Sequence, residues 1–380
     1  MEKRFHGVGG SDTTDHGPPM AGMPYTGIPG LRASSYFRRK AKRMSKIGLR
    51  ELARELGVSI STVSKSLRNS HEISRETRDR VMKMAQELGY QPNPYASFLR
   101  HNKSKTIALI VPELTNNFFI QAISGAESVA RERDYHILVY NTNDDSRQEE
   151  SILAHLQNGR VDGVIMSLAR TTTGYERMNE LMESGIPILF FDRICHEIET
   201  AKVTTNDFAS SFNATEHLIQ RGCRDIAFLM LSDTLSIDNK RKQGYLEALV
   251  KHDISLPPDR IVFCSGDEES NREQIRRLLS QDKRPDGIFG SVEKLAVSSY
   301  YVCRELGLDI PAQVKVLGFS NLRTAPLLHP SLTCITQPAF EMGAHAATVL
   351  FKCLEKKRPI IQNENIILKS ELVIRDSTGG

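Results

Sequence analysis

The segment Ser59-Ile60-Ser61-Thr62-Val63-Ser64-Lys65 sets four hydroxyls, an ammonium and one isoleucine within seven residues. These groups could read base edges: hydroxyls donate or accept, a lysine donates to guanine O6 or N7, and an apolar side chain touches a thymine methyl. Ser59, Ile60, Ser61, Thr62, Ser64 and Lys65 are therefore candidate DNA contacts, with Asn69 just beyond. A second set lies further along, in Asn116-Asn117-Phe118-Phe119, Asn143-Asp144-Asp145, Asp192-Arg193, Ser232-Asp233, Gly266-Asp267-Glu268 and Ser320-Asn321, together with Arg241. Amides, carboxylates, guanidinium groups and aromatic faces suit a small polar ligand such as a sugar or a nucleobase. Any one of these residues is more often an ordinary loop residue; the set together favours a cleft.

The first set needs a helix that presents it. Leu49, Leu52, Ala53 and Leu56 recur at helical spacing, which predicts a helix over residues 48–56. Gly57 ends it, because a residue without Cβ suits a left-handed turn. Ser59 is placed to cap a second short helix reaching about Leu67, with Val63 and Leu67 turned inward. Helix, glycine turn and helix make the helix-turn-helix unit, whose second helix can enter a major groove. Ser74 can cap a third helix that buries Val81, Met84, Ala85 and Leu88, and Val58 and Ile73 should join the core. A plain helical hairpin would show much of this pattern too.

Charge separates this front from the rest. Residues 1–105 carry 20 Lys/Arg against 9 Asp/Glu, a surplus of +11, whereas residues 106–380 carry 30 against 37, or −7. A basic front on an acidic body points to a polyanion met only by the front. Residues 1–43 are rich in Gly, Pro, Ser and Thr and show no apolar periodicity, so disorder or a misassigned upstream start is expected. The helix-turn-helix domain then spans 44–91 and a linker spans 92–105. In that linker Asn93-Pro94 is a helix start, and the short helix it begins carries Tyr95, Phe98 and Leu99, apolar side chains without a core of their own.

From Thr106 onward short apolar runs alternate with amphipathic stretches, from Thr106–Val111 to Val314–Phe319 for strands and from Phe119–Arg133 to Ala296–Leu306 for helices. This predicts α/β architecture with parallel sheets covered on both faces, in two lobes that divide near Asn206 within residues 106–380. Ligands of such sheets bind beyond the carboxyl ends of the strands, where the second set of polar residues stands. No run approaches the roughly 18 apolar residues of a membrane helix. The six widely spaced cysteines include no Cys-x-x-Cys pair, so metal binding and a disulfide framework are both disfavoured. No phosphate loop, no glycine fingerprint after a strand and no nucleophile elbow is found, which argues against an enzyme and against a bound cofactor.

On these motifs the chain resembles the lactose/purine-repressor (LacI/GalR) family of bacterial transcription regulators, from Ile47 to about Ser377. The residues that carry the resemblance are Gly57-Val-Ser-x-Ser-Thr-Val-Ser64, Thr77-Arg78, Leu88-Gly-Tyr-x-Pro-Asn93, Val161-Asp-Gly163, Asp192-Arg193, Arg241-x-x-Gly-Tyr245, Pro330-Ser-Leu-Thr333 and Gln337-Pro338. The resemblance implies a cytoplasmic homodimer whose N-terminal domains read a near-palindromic operator through Ile60, Ser61 and Lys65. It also implies a hinge helix with Tyr95 and Ala96 at the DNA and Leu99 wedged into the minor groove. The body would be a type I periplasmic-binding-protein-like domain, holding a small polar effector, a sugar or sugar derivative, between its lobes. By the family pattern Phe119, Asp192 and Arg241 face that effector, with Asn117, Arg193, Glu293 and Ser320 beside them. Lys65 replaces a commoner Arg, and Ser97 stands where many members have Arg. Ser320 replaces the usual Asp of Gly-Phe/Tyr-Asp, and Val292-Glu293 replaces an Asn/Asp-Asp pair, so an Asp that would clamp sugar hydroxyls or an amino group is absent and the effector class stays open. A periplasmic solute-binding protein of the same fold is the rival; residues 47–100 argue against it.

Overall fold

A computed structural model describes residues 48–67, 69–90, 103–157, 159–264, 267–356 and 364–379. The chain forms two compact units, meeting between Pro92 and Asn93. The linker residues Tyr95, Ala96, Ser97 and Leu99 and the basic run ending at Arg43 lie outside the described residues.

Among the described residues the first unit has three helices, α1 (Leu49–Leu56), α2 (Ile60–Leu67) and α3 (Arg75–Glu87). Gly57 ends α1 with φ +64, and its N–H and that of Val58 return to the carbonyls of Arg54 and Ala53 at 3.3 and 3.1 Å. A side chain there would strain the left-handed turn, which makes glycine the fitting residue. Ser59 caps α2 by accepting from the Thr62 N–H at 3.0 Å, and Ser74 caps α3 through Thr77 at 3.3 Å. Leu52, Ala53, Val63, Val81 and Ala85 form the buried core, with Leu49, Leu56, Val58, Leu67 and Met84 against it. Ile73, expected in this core, is only half-buried; its carbonyl serves the Arg78 guanidinium at 3.1 Å.

The second unit holds two six-stranded sheets. The elements run β1 (Thr106–Val111), α4 (Asn117–Arg131), β2 (His136–Asn141), α5 (Ser146–Leu156), β3 (Gly163–Met166), α6 (Glu176–Glu183), β4 (Ile188–Phe191) and β5 (Lys202–Thr205). They continue with α7 (Asp207–Gln220), β6 (Ile226–Met230), α8 (Ser236–Lys251), β7 (Ile261–Phe263), α9 (Glu268–Leu279), β8 (Gly287–Gly290), α10 (Glu293–Glu305) and β9 (Lys315–Phe319). The last are β10 (Thr333–Thr336), α11 (Ala339–Lys356), β11 (Asn365–Leu368) and β12 (Glu371–Val373). Strand order is β11-β5-β4-β3-β1-β2 in one sheet and β12-β10-β9-β8-β6-β7 in the other. All pairings are parallel except β10 with β12, a departure from the all-parallel expectation.

Alternation along each strand shows how both faces are covered. Ile107, Leu109 and Val111 face α4 and α11, while Ala108 and Ile110 face α5 and α6. In the second sheet Ala227 and Leu229 pack on one side, Phe228 and Met230 on the other. Continuously apolar strands are what double coverage demands. Helices α4 and α11 cross without room for a side chain: a Cβ on Gly343 would lie 1.8 Å from the Ala122 carbonyl oxygen, and one on Gly125 would lie 1.9 Å from that of Phe340.

The lobes do not divide once near Asn206. The chain leaves the first sheet there, returns to it through α11 and β11, and finally goes back to the second sheet as β12. The sequence pattern stops short of this because β5, β10, β11 and β12 have only three or four residues each. The Asp162 of Val161-Asp-Gly163 holds the chain entering β1, accepting from the Ser104 and Lys105 N–H groups at 2.6 and 3.1 Å. Asp286 does the same in the second lobe for Arg224 and Asp225, at 2.8 and 3.0 Å. The six cysteines are free thiols, all buried but half-buried Cys353. Among the described residues no cluster could hold a metal, and no helix is long and apolar enough to cross a membrane.

Candidate functional site

On α2 the expected polarity holds. Val63 is fully buried, whereas Ser59, Ile60 and Ser61 are exposed and Thr62, Ser64 and Lys65 half-buried; Ile60 is 46% exposed. An isoleucine so placed on a capped helix gains nothing from its own fold and suits contact with an apolar group such as a thymine methyl. Lys65 is not free, because its ammonium pairs with Glu72. Asn69 sits in the left-handed region at φ +56, exposed, with its side-chain oxygen taken by Arg78. DNA contact by either side chain would therefore compete with an existing partner.

The second candidate site is a cleft between the lobes of the second unit. It is lined by Phe119 and Asn116 from the start of α4, Asp192 and Arg193 after β4, Arg241 on α8, Glu293 on α10, and Phe319, Ser320 and Asn321 at the end of β9. Val292, Ile237, Phe118 and Gln337 complete it. Of the expected effector residues, Phe119, Asp192, Arg193, Arg241, Glu293 and Ser320 converge here. Asn117 does not line the cleft; it acts across it, donating from Nδ2 to Glu293 Oε1 at 3.1 Å.

Arg241 lies inside α8, which begins at Ser236. Only 2% of it is exposed. Its partner is Asp207, the first residue of α7, at 2.7 Å from Nη2 and 2.8 Å from Nε. Nη1 donates to the Ser291 carbonyl at 2.6 Å, and the guanidinium lies 3.6 Å from the Phe319 ring centre. Ion pair, hydrogen bond and stacking together fix its plane, as the delocalised fork of arginine allows.

Asp192 holds an unusual backbone, φ +59, at the carboxyl end of β4. Burial pushes its carboxyl up to about 6, against the opposing pull of Arg193 and Arg241. Its one hydrogen-bond donor is Ser167 Oγ at 3.3 Å. Arg193 turns to Asp144 at 2.6 Å; burial favours the neutral carboxyl of Asp144, but Arg193 and the Arg170 N–H outweigh this and hold it below its ordinary value. Asp238, one turn before Arg241 and fully buried, is raised by burial against the pull of Arg241, and its Oδ2 accepts from the Ser232 N–H at 3.1 Å. Buried carboxyls with raised pKa collect at binding sites. Asp207, Asp238 and Ser291 escape the sequence pattern because nothing local marks them, and Phe319 stands out only as a strand end and as the aromatic before Ser320. Gln337, whose Nε2 reaches Thr205 Oγ1 at 3.2 Å, was marked only within Gln337-Pro338.

The Asp usual at position 320 is absent, but a carboxylate stands beside Ser320. Glu293 supplies one, accepting from Ser320 Oγ at 2.8 Å and from the Asn321 N–H at 3.0 Å. The remaining loop candidates take ordinary roles: Asp145 caps α5 and Asp267 caps α9, while Ser232 accepts from the Thr234 N–H.

Residues 48–93 match the model for bacterial regulatory proteins of the lacI family, and residues 215–378 match a periplasmic binding protein-like domain. The chain is 31% identical over 87% of its length to the HTH-type transcriptional regulator RegA of Clostridium saccharobutylicum, covering 98% of that protein. It is 30% identical over the same share to the ribose operon repressor of Haemophilus influenzae, again covering 98% of it. The fold is that of the lac repressor dimer bound to operator and an anti-inducer, with a TM-score of 0.76 over 88% of this chain and 99% of that one, at 21% identity. The helix-turn-helix head and the two-lobed body thus find one common explanation: the chain belongs to the lacI family of bacterial regulatory proteins and is a DNA-binding transcriptional regulator.

Proposed function

We propose that the protein is a cytoplasmic homodimeric repressor that reads a near-palindromic operator and responds to a small polyhydroxylated effector, a sugar or sugar derivative, in the interlobe cleft. The observation that carries this reading is the cleft itself. Two aromatic rings, Phe119 and Phe319, stand with the Arg241 fork, Asp192 and Glu293, a set suited to apolar sugar faces and to hydroxyls. The ribose operon repressor among the relatives is consistent with an effector of this chemistry.

The dimer is supported by the edges of the sheets. Strand β2 ends one edge of the first sheet and β7 one edge of the second, and they expose Leu138 at 41%, Val139 at 39% and Phe263 at 43%. Exposed apolar edges of this kind invite pairing unless covered, and a second copy would cover both. Two heads on one dimer would meet two half-sites, with Ile60, Ser61 and Lys65 discriminating bases and Leu99 wedging at the centre.

The test is selection of bound duplexes from random DNA by the full chain, followed by titration of the selected site with a panel of monosaccharides and nucleosides. A near-palindrome whose affinity shifts with one sugar is the expected result. A single half-site bound by a monomer would sink the dimer, and a response only to nucleosides would sink the sugar.

A further inference from the structure

The second unit carries another concavity, behind Ser320 and Asn321 as seen from the cleft. It offers about 310 Å3 and is lined by Gln121, Asn321, Arg323, Cys334, Thr336 and Arg375, among others. No carboxylate lines it. Among the described residues, neither Arg323 nor Arg375 has an ion-pair partner, although most buried or half-buried arginines of this unit have one. Arg375 Nη1 donates to the Leu332 carbonyl at 2.5 Å and to Cys334 Sγ at 3.1 Å, which orients its fork without neutralising it. Arg323 arrives from the loop after β9 and is exposed. Two guanidinium groups from separate segments thus line one concavity that holds no carboxylate, and an anion there could accept charge-assisted hydrogen bonds from both.

We propose that this pocket binds a small oxyanion-bearing molecule, a phosphate ester or a polycarboxylate, independently of the effector in the cleft. The volume is at the lower end of small-ligand sites, which favours a compact anion. The Thr336 hydroxyl and the Gln121 amide can complete its hydrogen bonds. The site also adjoins a contact between the lobes: Gln121 Nε2 donates to the Asn321 carbonyl at 3.3 Å, and Asn321 Nδ2 donates to Gln121 Oε1 at 3.4 Å. An anion on Arg323 would thus sit next to Ser320 and Asn321, which line both cavities.

Calorimetry of the full chain with inorganic phosphate and with citrate, against chloride at equal ionic strength, tests the proposal. Saturable binding of one anion per chain is expected for at least one probe, weakened about tenfold or more by Arg323→Ala. Arg375→Lys, which keeps the charge and loses the fork, should weaken it less. Arg277→Ala on α9, a residue 76% exposed and paired with Glu273, should leave it unchanged. Binding insensitive to Arg323→Ala and Arg375→Lys but lost in Lys65→Ala or Arg241→Ala would place the anion in the DNA-binding head or the cleft and overturn the proposal. So would the absence of saturable binding up to about ten millimolar.

Discussion

The carboxylate of Glu293 stands 2.8 Å from the Ser320 hydroxyl and 3.1 Å from the Asn117 amide, so one side chain of the second lobe ties both the β9 loop and the first turn of α4. Glu293 therefore joins the two lobes, as the Gln121–Asn321 contact also does. Ser320→Asp, which restores the residue common in the family, would set a second carboxylate against Glu293. Two carboxylates at that distance cannot both ionise cheaply. The variant should lose about 1–3 kcal/mol of stability at pH 7 and recover part of it at pH 5. Its ligand preference should change without any gain in DNA affinity. Melting of wild type and variant at the two pH values checks this, and an equal difference at both would show that the carboxylates do not meet.

Arg241→Ala separates sensing from DNA binding, at a cost that follows from burial. Removing one member of a buried pair leaves Asp207 uncompensated, which costs about 3–5 kcal/mol. The double variant Asp207→Asn/Arg241→Met should recover a large part of that loss. At temperatures where Arg241→Ala remains folded, operator affinity should stay near wild type and the response to effector should vanish. Coupling between effector and operator is typically about 1–3 kcal/mol, so its loss is measurable by titration. A full effector response in the single variant would remove Arg241 from the site.

Asp192 predicts a pH dependence with a definite sign. Its folded pKa, about 6, lies above the unfolded value near 3.8, so between these limits the folded state binds the extra proton. This group therefore makes the protein more stable as pH falls from about 6 towards 4, and its burial as a carboxylate is a standing cost above pH 6. Asp192→Asn should remove that component: the gain in melting temperature over wild type should be larger at pH 7 than at pH 4.5. Identical pH profiles for the two proteins would contradict the burial argument.

Lys65 is held by Glu72 until DNA arrives. Lys65→Ala should cost about 1–3 kcal/mol on the selected operator and much less on random DNA, if its ammonium reads a guanine. Glu72→Gln frees the lysine and removes a negative charge near the phosphates, so it should raise affinity for both DNAs and steepen the salt dependence. Equal losses for Lys65→Ala on both duplexes would reassign the residue to phosphate contact.

The three-helix head was legible residue by residue, because its signals are local: a left-handed glycine at Gly57, caps at Ser59 and Ser74, and apolar spacing along single helices. The doubly covered sheets were legible for the same reason, since a strand buried on both faces is apolar at every position, as in Thr106–Val111. Sequence patterns also brought Phe119, Asp192 and Arg241 to one site through family motifs. They did not indicate what those residues would touch. Short strands such as Asn365–Leu368, with every second residue exposed, have too little apolar pattern to stand out, so the return of the chain to the first lobe went unread. The pairing of Arg241 with Asp207, and the arrival of Glu293 beside Ser320, join residues 34 and 27 positions apart across different elements. Hydrogen bonds and buried ion pairs require placement to within a few tenths of an ångström. That placement comes from how helices seat on sheets and lobes close on each other, and only the tertiary structure decided it.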